Sequence, residues 1–570
     1  MATPAITQPN AAGAASYPQA TQAEPNSRKW WALIATCFGL FMTLLDVTVV
    51  NVALPTIQLK LNASFADLQW VISAYTIALA VFLVTAGRLG DIFGRKRVFM
   101  TGLGVFTLGS LICALSGTIT IGTLSHTAVL LAGRAVQGLG GAVMVPLSLA
   151  IISTTFQGRQ RGAAIGIWGG ITGLATAIGP VVGGVLVQKV SWESIFYLNV
   201  PIGVVGIALS AWAIRESRDE RAGGSIDFFG LAALTVSLFC LVLALIQGND
   251  ADKGWTSPYI LALFAVAAVA MIVFIVVELR LKNPMVDPRL FANRSFTGAA
   301  VAAFALSAGL YSMFFFLALY LQNFLGFSAL DAGLRFLPLS VPVLFTAPLA
   351  GALTGRIGAR PLLTGGLAVC CVAVLLMARI SPQNHQVDWV ILLPAFILAG
   401  LGSGAVNPPI STVAVGSVEP GRAGMASGVS GVCRQIGTAF GIAFLGAVLT
   451  SQYNSYVHKG VMALRAQGLP AVAKQTIITG VQKAGTIAGS LGLPSDPRHP
   501  SPYAGTPTYA QVQQIARASF VDGTTSILHI AAVILAIGAL ASLVLVRKPN
   551  APRPGAENGG GSEGYVAAGH

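Results

Sequence analysis

Long apolar stretches that are almost free of charge recur along this chain and limit what it can fold into. A helix needs about 20 such residues to cross the hydrocarbon core of a bilayer. Only 9% of the residues are charged and 54% are hydrophobic, whereas soluble domains carry about 25% charged residues. A water-facing surface cannot be built from this composition. The sequence therefore predicts an all-α polytopic membrane protein.

Fourteen stretches are long enough to be membrane spans. They lie near residues 30–55, 67–87, 98–118, 127–153, 162–187, 192–214, 226–247, 257–278, 296–323, 331–354, 361–380, 389–412, 423–450 and 519–546. An even number of spans puts both termini on one side of the membrane. The segments on that side hold 21 Lys and Arg residues, and the short loops of the other side hold five. Because basic residues concentrate in cytoplasmic loops, both termini are predicted to be cytoplasmic.

Three segments fall outside the spans. Residues 1–29 and 547–570 are rich in small and polar residues and are predicted to be disordered cytoplasmic tails. Residues 451–518 form a long loop that is predicted to be extracytoplasmic, since long loops cross the membrane regardless of their charge. A solvated, partly disordered loop is favoured here over a helical hairpin that caps the outer vestibule.

The loop after the second span has a counterpart in the second half of the chain. Residues 87–97 and residues 351–360 carry Gly, Leu and Gly at matching positions. This repeat predicts two homologous six-helix bundles with two additional helices inserted between them. The three units are residues 30–215, 216–295 and 296–546. Parallel repeats of this kind enclose a binding site near the membrane midplane and rock around it.

The net charge of +14 and the six cysteines do not indicate another class of protein. The basic residues lie in short clusters between apolar runs, which is typical of membrane topology and not of a nucleic-acid interface. All six cysteines lie within apolar runs, so we expect no disulfide framework. The sequence has no phosphate-binding loop and no hydrolase motif. We therefore expect no enzyme, no cofactor and no metal, and transport driven by gradients.

Charged residues inside spans are costly, about 2.5–3.5 kcal/mol each at a helix centre, so each one requires a reason. Asp46 lies midway along the first span, Arg134 in the fourth and Arg434 in the thirteenth. Burial disfavours a charged carboxylate, which makes Asp46 a candidate proton carrier; the alternative is a structural ion pair or helix cap. Arg134 is a candidate partner that releases Asp46 in one conformation, or else an arginine bonded to backbone carbonyls. Arg434 is interpreted as structural.

The loop between the second and third spans combines glycines with opposite charges. Its candidate functional residues are Gly87, Asp91, Gly94, Arg95, Lys96 and Arg97. The glycines allow a tight turn, and Asp91 can face the basic residues or a helix N-terminus. We interpret this loop as a charge latch that holds the two bundles together in one state. The alternative is a basic loop that only sets topology.

The fifth span is rich in glycines at four-residue spacing, which lets helices approach closely. Its predicted hinge residues are Gly166, Gly179, Pro180, Gly183 and Gly184. A cavity for apolar substrates is predicted from polar and aromatic residues of other spans, with simple packing as the alternative. These candidates are Tyr75, Gln137, Tyr311, Phe315 and Tyr320.

As an ensemble, these motifs resemble those of the fourteen-span drug:proton antiporter branch of the major facilitator superfamily. Residues 87–97 are similar to the cytoplasmic loop motif of the superfamily, residues 134–138 to its fourth-span motif and residues 179–184 to its antiporter motif. Residues 45–55 are similar to the first-span signature of the branch. Ala175 stands where the antiporter motif usually has glycine. The thirteenth span lacks the acidic residues that some members use for bivalent cations.

The resemblance implies the major facilitator fold and a secondary active exporter that exchanges protons for lipophilic neutral or monocationic compounds by alternating access. It implies a multi-pass protein of the bacterial inner membrane, expected to be monomeric, with protons, the lipid bilayer and a small-molecule substrate as partners. A dedicated exporter of one endogenous metabolite, antibiotic or lipid fits the same motifs. A transport-dead sensor or scaffold is a further alternative, which the retained charges of Asp46, Asp91 and Arg134 disfavour.

Overall fold

The computed structural model describes most of the chain, and the described residues contain helices and no β-strand. The described ranges are 26–119, 124–156, 158–218, 227–248, 253–281, 284, 286–383, 386–418, 423–464, 471–491 and 507–547. Nearly all of the two predicted disordered tails lies outside these ranges. The first helix, however, already begins at Asn26, inside the predicted tail. Arg28 ties this start to the bundle by donating from Nη2 to the carbonyl of Trp212 (2.8 Å).

Eighteen α-helices follow one another along the described residues. In chain order they are α1 (Asn26–Leu61), α2 (Phe65–Phe93), α3 (Arg95–Leu115), α4 (His126–Thr155), α5 (Gly158–Lys189), α6 (Ser194–Tyr197), α7 (Asn199–Ala213), α8 (Phe228–Gln247), α9 (Pro258–Arg280), α10 (Arg294–Leu306), α11 (Met313–Leu319), α12 (Ala329–Arg335), α13 (Leu337–Ile357), α14 (Ala359–Met377), α15 (Leu393–Gly416), α16 (Ala423–Met462), α17 (Ala471–Leu491) and α18 (Pro507–Leu545). Two π-helical turns, Ser307–Tyr311 and Tyr320–Phe324, flank α11 and continue the span that α10 begins.

Thirteen helical segments among the described residues are long and apolar enough to cross a membrane. All of them overlap predicted spans. The fifth predicted span corresponds to α5, whose described apolar part, Ala177–Lys189, is shorter. The outward faces of the helices are apolar, as in α9, where only 17% of the spanning window is buried. An outer surface of this kind requires lipid around it, so the chain is a multi-pass membrane protein.

The helices group into two bundles and a separate pair. In the first half of the chain, α1 packs against α4, α5 and α7. In the second half, α10 packs against α15, α16 and α18. The inserted helices α8 and α9 pack on each other, and α8 also contacts α2 and α16. The inserted pair therefore covers one of the seams between the bundles.

The two bundles meet along α2 with α16, and along α5 with α12 and α13. Polar contacts join them at the side opposite the chain termini. Gln69 Nε2 donates to the carbonyl of Ile442 (2.9 Å), and Gln322 Nε2 donates to the carbonyl of Val52 (2.8 Å). Gln69 is buried, so breaking its bond would leave a polar group without a partner. The bundles are therefore held closed on this side.

Each half of the chain turns between its second and third spans at a glycine with a positive φ. Gly94 (φ +101°) joins α2 to α3, and Gly358 (φ +84°) joins α13 to α14. The two glycines occupy matching positions in the sequence repeat of residues 87–97 and 351–360. Residues with a Cβ rarely adopt this backbone conformation. The repeat seen in the sequence is thus also a repeat of backbone geometry.

The segment 451–518 is mostly helical where it is described, so the favoured prediction of a solvated, partly disordered loop is wrong there. α16 continues to Met462, α17 is an additional helix and α18 already begins at Pro507. α17 packs on α16 and α18 with an apolar stripe that includes Ile478 and Val481, which are both buried. Two apolar residues three positions apart lie on one side of a helix, and such a stripe lets a mostly polar helix bind to the bundle. The alternative of a helical hairpin describes this segment better.

Candidate functional site

Asp46 lies on α1 inside the first bundle, with only 3% of its surface exposed. Its Oδ2 forms an ion pair with Nη1 of Arg134 on α4. Its Oδ1 accepts hydrogen bonds from Gln137 Nε2 (3.1 Å) and from Asn199 Nδ2 on α7 (3.2 Å). Both carboxylate oxygens therefore have partners. A buried charge that lacked them would be strongly destabilising, and this pairing explains how the first span tolerates Asp46.

Arg134 is as deeply enclosed as its partner, with 1% of its surface exposed. Its Nη1 also donates to Gln137 Oε1 (2.9 Å), and its Nε donates to the carbonyl of Val71 (3.0 Å). The guanidinium carbon lies 4.3 Å from the ring centroid of Tyr75, whose negative face stabilises the cation. Arg134 is thus both the ion-pair partner of Asp46 and an arginine bonded to a backbone carbonyl, so the two alternatives for this residue hold together.

Gln137 completes the cluster by linking it to α3. Its Nε2 donates to Ser110 Oγ (2.6 Å), a hydroxyl that is fully buried. The cluster therefore ties together α1, α3, α4 and α7 around the carboxylate of Asp46. Ser110 and Asn199 were not predicted as site residues. The only available signal was a polar residue within an apolar run, which is common in spans.

Two glycines let α3 and α4 approach closely enough for these bonds. A Cβ on Gly109 would lie 2.5 Å from the backbone nitrogen of Gln137, and a Cβ on Gly133 would lie 2.9 Å from that of Cys113. Neither position has room for a side chain, because real Cβ contacts are longer than this. Close packing of this kind is how small residues hold helices together within a membrane.

Asp91 lies in the last turn of α2 and binds one of the basic residues that follow it. Its Oδ1 accepts from Arg95 Nη2 (2.8 Å) and from Arg95 Nε (3.0 Å). The nearby N-terminus of α3 is capped by Glu216, which follows α7 in the chain. The carboxylate of Glu216 accepts from the backbone N–H groups of Lys96 (3.0 Å) and Arg97 (3.2 Å). The described N-terminus is therefore occupied by Glu216 and not by Asp91.

These bonds of the 87–97 loop lie within the first bundle. The turn at Gly94 directs the start of α3 toward the chain that leaves α7, and Arg95 N donates to the carbonyl of Ser217 there (2.9 Å). Gly87 and Gly90 lie in the last turns of α2, and an added Cβ on Gly87 would meet no atom within 4 Å. The latch between the two bundles thus remains a prediction, and the described bonds fasten α3 to the end of α7.

The predicted hinge residues lie on α5, where the helix meets both α1 and the second bundle. Gly166, Gly179 and Pro180 belong to the same helix. A Cβ on Gly183 would lie 3.1 Å from the Cα of Val49, and a Cβ on Gly184 would lie 2.6 Å from the Cα of Leu330 on α12. Any larger side chain at these two positions would push α5 away from its neighbours.

The five candidates for a substrate cavity are not brought together in this conformation. Four of them are at most 1% exposed, namely Tyr75, Gln137, Phe315 and Tyr320. Tyr75 and Gln137 belong to the cluster around Asp46. Tyr311 differs because it is only partly buried, and its hydroxyl accepts a hydrogen bond from Asn407 Nδ2 on α15 (2.6 Å).

Comparisons with known proteins assign the family. The profile of the Major Facilitator Superfamily matches residues 36–442. The chain belongs to this superfamily. Multidrug resistance protein Stp of Mycobacterium tuberculosis is 38% identical over 427 residues, which are 75% of this chain and 77% of the relative. The Tetracenomycin C resistance and export protein of Streptomyces glaucescens is 31% identical over 521 residues, with 90% and 91% of the two chains covered.

Two further comparisons are with a multidrug transporter and with a solved structure. Multidrug transporter protein MdtP of Bacillus subtilis is 27% identical over 523 residues, with 91% and 93% of the two chains covered. The crystal structure of a bacterial homologue of the human lysosomal transporter Spinster, inward-facing and unoccupied, matches with a TM-score of 0.58 at 17% identity. It covers 92% of this chain and 100% of its own, and this likeness concerns the fold. The prediction of a major facilitator transporter, and not an enzyme, is confirmed.

Proposed function

We propose that the transporter exports lipophilic small molecules in exchange for protons, by alternating access to a site between its two bundles. The observation that carries the proposal is the buried carboxylate of Asp46 with its ion pair to Arg134. Ionisable residues inside a membrane usually mark substrate or ion pathways. Relatives named for multidrug resistance or for antibiotic export support a small-molecule substrate.

The cluster around Asp46 offers two charge states. Arg134 stays charged at any physiological pH, so the carboxyl is the member that can take up a proton. Protonation would remove the ion pair, while Arg134 would keep its bonds to the Val71 carbonyl and to Gln137. The two states differ in what holds α1 to α4, and a bistable contact of this kind is what a coupled switch requires.

The proposed membrane orientation has both termini in the cytoplasm of a bacterial cell, which the strong bias of basic residues supports. The side on which the bundles are joined by Gln69 and Gln322 is then the external side. In this conformation the substrate would enter from the cytoplasm or from the inner leaflet. Its release to the outside would require these interbundle hydrogen bonds to break.

The test is efflux of the neutral lipophilic dye Nile red from cells that express the transporter. We expect a protonophore to stop the efflux, because the proton gradient drives it. The variant Asp46→Asn should stop it as well, since an amide cannot carry the proton. Asp388→Asn is the matched control, because it makes the same chemical change at an exposed carboxyl. Wild-type efflux by Asp46→Asn at equal membrane expression would overturn the proposed mechanism.

A dedicated exporter of one compound is the second candidate. It is favoured by the relative whose name mentions a single compound, tetracenomycin C. Both candidates use the same proton site and differ in the range of compounds that they export. A broad exporter should move Nile red together with several unrelated antibiotics. A dedicated exporter should protect cells against one compound of such a panel, and Asp46→Asn should abolish that single protection.

A further inference from the structure

Arg434 lies in the middle of the span formed by α16, and its side chain is only partly buried. Among the described residues, no group forms a hydrogen bond or an ion pair with its guanidinium. Arg134 presents the opposite case, because its Nε and Nη1 are bonded to Val71, Asp46 and Gln137. The structural role that the sequence favoured for Arg434 therefore has no bond to support it.

The neighbours of Arg434 on α16 define where its side chain points. A Cβ on Gly431 would lie 2.6 Å from Leu83 Cδ2 on α2, so this residue faces the first bundle. A Cβ on Gly437 would lie 2.6 Å from the carbonyl oxygen of Phe304 on α10. Residues three apart share one side of a helix. Arg434 therefore lies between these two faces and points into the seam between α2 and α10.

Two polar side chains of the second bundle, Tyr311 and Asn407, belong to elements that pack against α16. Tyr311 belongs to a turn that packs on α16, since a Cβ on Gly441, seven residues after Arg434 on the same face of α16, would lie 2.9 Å from the Cβ of Ser312. It ends the π-helical turn Ser307–Tyr311, and such turns are frequent at functional sites. Asn407 on α15 donates from Nδ2 both to the hydroxyl of Tyr311 (2.6 Å) and to the carbonyl of Ser403 (3.0 Å).

These hydrogen bonds fix the direction in which Tyr311 can donate. Because its oxygen accepts from Asn407, its own hydroxyl proton is left to donate to a further group. Phe314 stacks beside the Tyr311 ring, with centroids 6.2 Å apart, and supplies an aromatic wall. One strong cation, one oriented hydroxyl donor and an aromatic surface therefore lie along the contact between α16 and the turn that ends at Tyr311. All three residues are partly buried and not fully enclosed.

The charge of Arg434 is not balanced in the way the charge of Arg134 is. Asp46 neutralises Arg134 inside the first bundle, and no described carboxylate pairs with Arg434. A cation inside a membrane has to be solvated by a water-filled cavity or paired with an anion. A cavity that contains such a charge attracts anions and repels cations.

We propose that Arg434 and Tyr311, positioned by Asn407, form an anion-binding subsite of the transport cavity. The subsite would take amphipathic aromatic compounds that carry a carboxylate or a phenolate. A guanidinium binds a carboxylate through two parallel hydrogen bonds, and the Tyr311 hydroxyl adds a third donor. The inference rests on the proposed function in one respect only, since it takes the bound anion to be the exported substrate. Of the neutral or monocationic substrates that the resemblance implies, it disfavours the monocationic ones and adds acidic ones.

The test measures binding of two dyes that share a xanthene core, anionic fluorescein and cationic rhodamine 123. Fluorescence polarisation is recorded with the purified full-length transporter in detergent micelles. We expect fluorescein to bind at least about tenfold more tightly than rhodamine 123 to the wild type, because fluorescein offers a carboxylate to Arg434, whereas the carboxyl of rhodamine 123 is esterified and its xanthene is cationic. Arg434→Gln should reduce this preference to less than about twofold. Arg434→Lys should retain only part of it, because the charge remains while the two parallel hydrogen bonds are lost.

The control is Arg379→Gln, which removes the same charge from an exposed arginine just after α14 and should leave the preference unchanged. If Arg434→Gln does not fold, Tyr311→Phe tests the subsite independently. It keeps the ring and removes the hydroxyl, so it should weaken fluorescein binding several-fold and leave rhodamine 123 binding as it was.

Two results would overturn the subsite: fluorescein binding no tighter than that of rhodamine 123 in the wild type, or an undiminished preference in Arg434→Gln. Micelles contain no proton gradient, so the dye preference does not depend on the role of Asp46. Nile red efflux that persists in Asp46→Asn, together with an intact dye preference, would reject the proton mechanism alone. Nile red efflux that stops in Asp46→Asn, without any dye preference in the wild type, would reject the subsite alone.

Discussion

Asp46 and Arg134 should respond differently to the loss of their partner, and the difference should appear as a pH dependence of stability. In Arg134→Gln, Asp46 keeps its amide donors Gln137 and Asn199 but loses its counter-charge. Removing one partner of a buried ion pair costs about 3–5 kcal/mol. A carboxyl can reduce this loss by taking up a proton, whereas a guanidinium cannot reduce it by losing one.

The sign and size of the effect follow from proton binding. Without its counter-charge, the buried carboxyl of Asp46 is expected to bind a proton in folded Arg134→Gln, whereas the unfolded chain, with its carboxyl in water, holds no such proton at neutral pH. Its stability should therefore rise as the pH falls, by about 1.4 kcal/mol per pH unit for one proton. Between about pH 7.5 and about pH 5.5 the variant should regain up to about 2–3 kcal/mol, which is the limit for one proton. In Asp46→Asn, Arg134 stays charged and bonded to the Val71 carbonyl, so the stability that this variant loses should not change with pH.

The assay is thermal unfolding of the purified full-length variants in detergent micelles, followed by tryptophan fluorescence at several pH values. The double variant Asp46→Asn/Arg134→Gln should be less destabilised than the sum of the single variants, by about 1–3 kcal/mol. Asp388→Asn serves as the exposed control and should follow the wild type. Parallel pH profiles of the two single variants, or additive losses in the double variant, would refute the coupling between Asp46 and Arg134.

Two further predictions concern the cap of α3 and the close contact between α5 and α12. Glu216→Ala removes the cap of α3 and should lower the free energy of unfolding by about 1–2 kcal/mol; an unchanged melting temperature would contradict the capping role. Gly184→Val inserts a side chain where the backbone of Leu330 lies, so it should separate α5 from α12 and increase maleimide labelling of an Ala329→Cys reporter. Gly170→Val on the same helix, where an added Cβ meets nothing within 4 Å, should leave the labelling unchanged. Equal labelling in both variants would argue against the close contact.

The architecture could be predicted because the bilayer constrains the sequence so strongly. A span has to be apolar over about 20 residues, and this leaves a signal that needs no knowledge of tertiary contacts. The turn glycines Gly94 and Gly358 are equally visible, since they recur at matching positions of a repeat. A helix such as α17 was only the less favoured alternative for residues 451–518, because an amphipathic helix outside the membrane needs only a narrow apolar stripe, here including Ile478 and Val481, among many small and polar residues.

The site could be predicted only in part, and the limit has a physical cause. Asp46 and Arg134 stand out in sequence because charges in spans are rare. Ser110 and Asn199 do not stand out, because uncharged polar residues are tolerated in spans and can bond to their own helix. Their role depends on which helices the fold places side by side. The same holds for Arg434, whose lack of a bonded partner is a property of the packed helices.

α1 is the element through which a proton on Asp46 can act on the seam between the bundles. Val52 lies six residues after Asp46, which is about 9 Å along a helix, and its carbonyl accepts the hydrogen bond from Gln322 of the second bundle. Between them, Val49 contacts Gly183 of α5. In the proposed cycle, protonation releases α1 from Arg134, and any rigid shift of α1 moves Val52 relative to Gln322. Because the proton site and the interbundle hydrogen bond lie on the same helix, α1 can couple them directly as one rigid element, and a longer chain of contacts is not required.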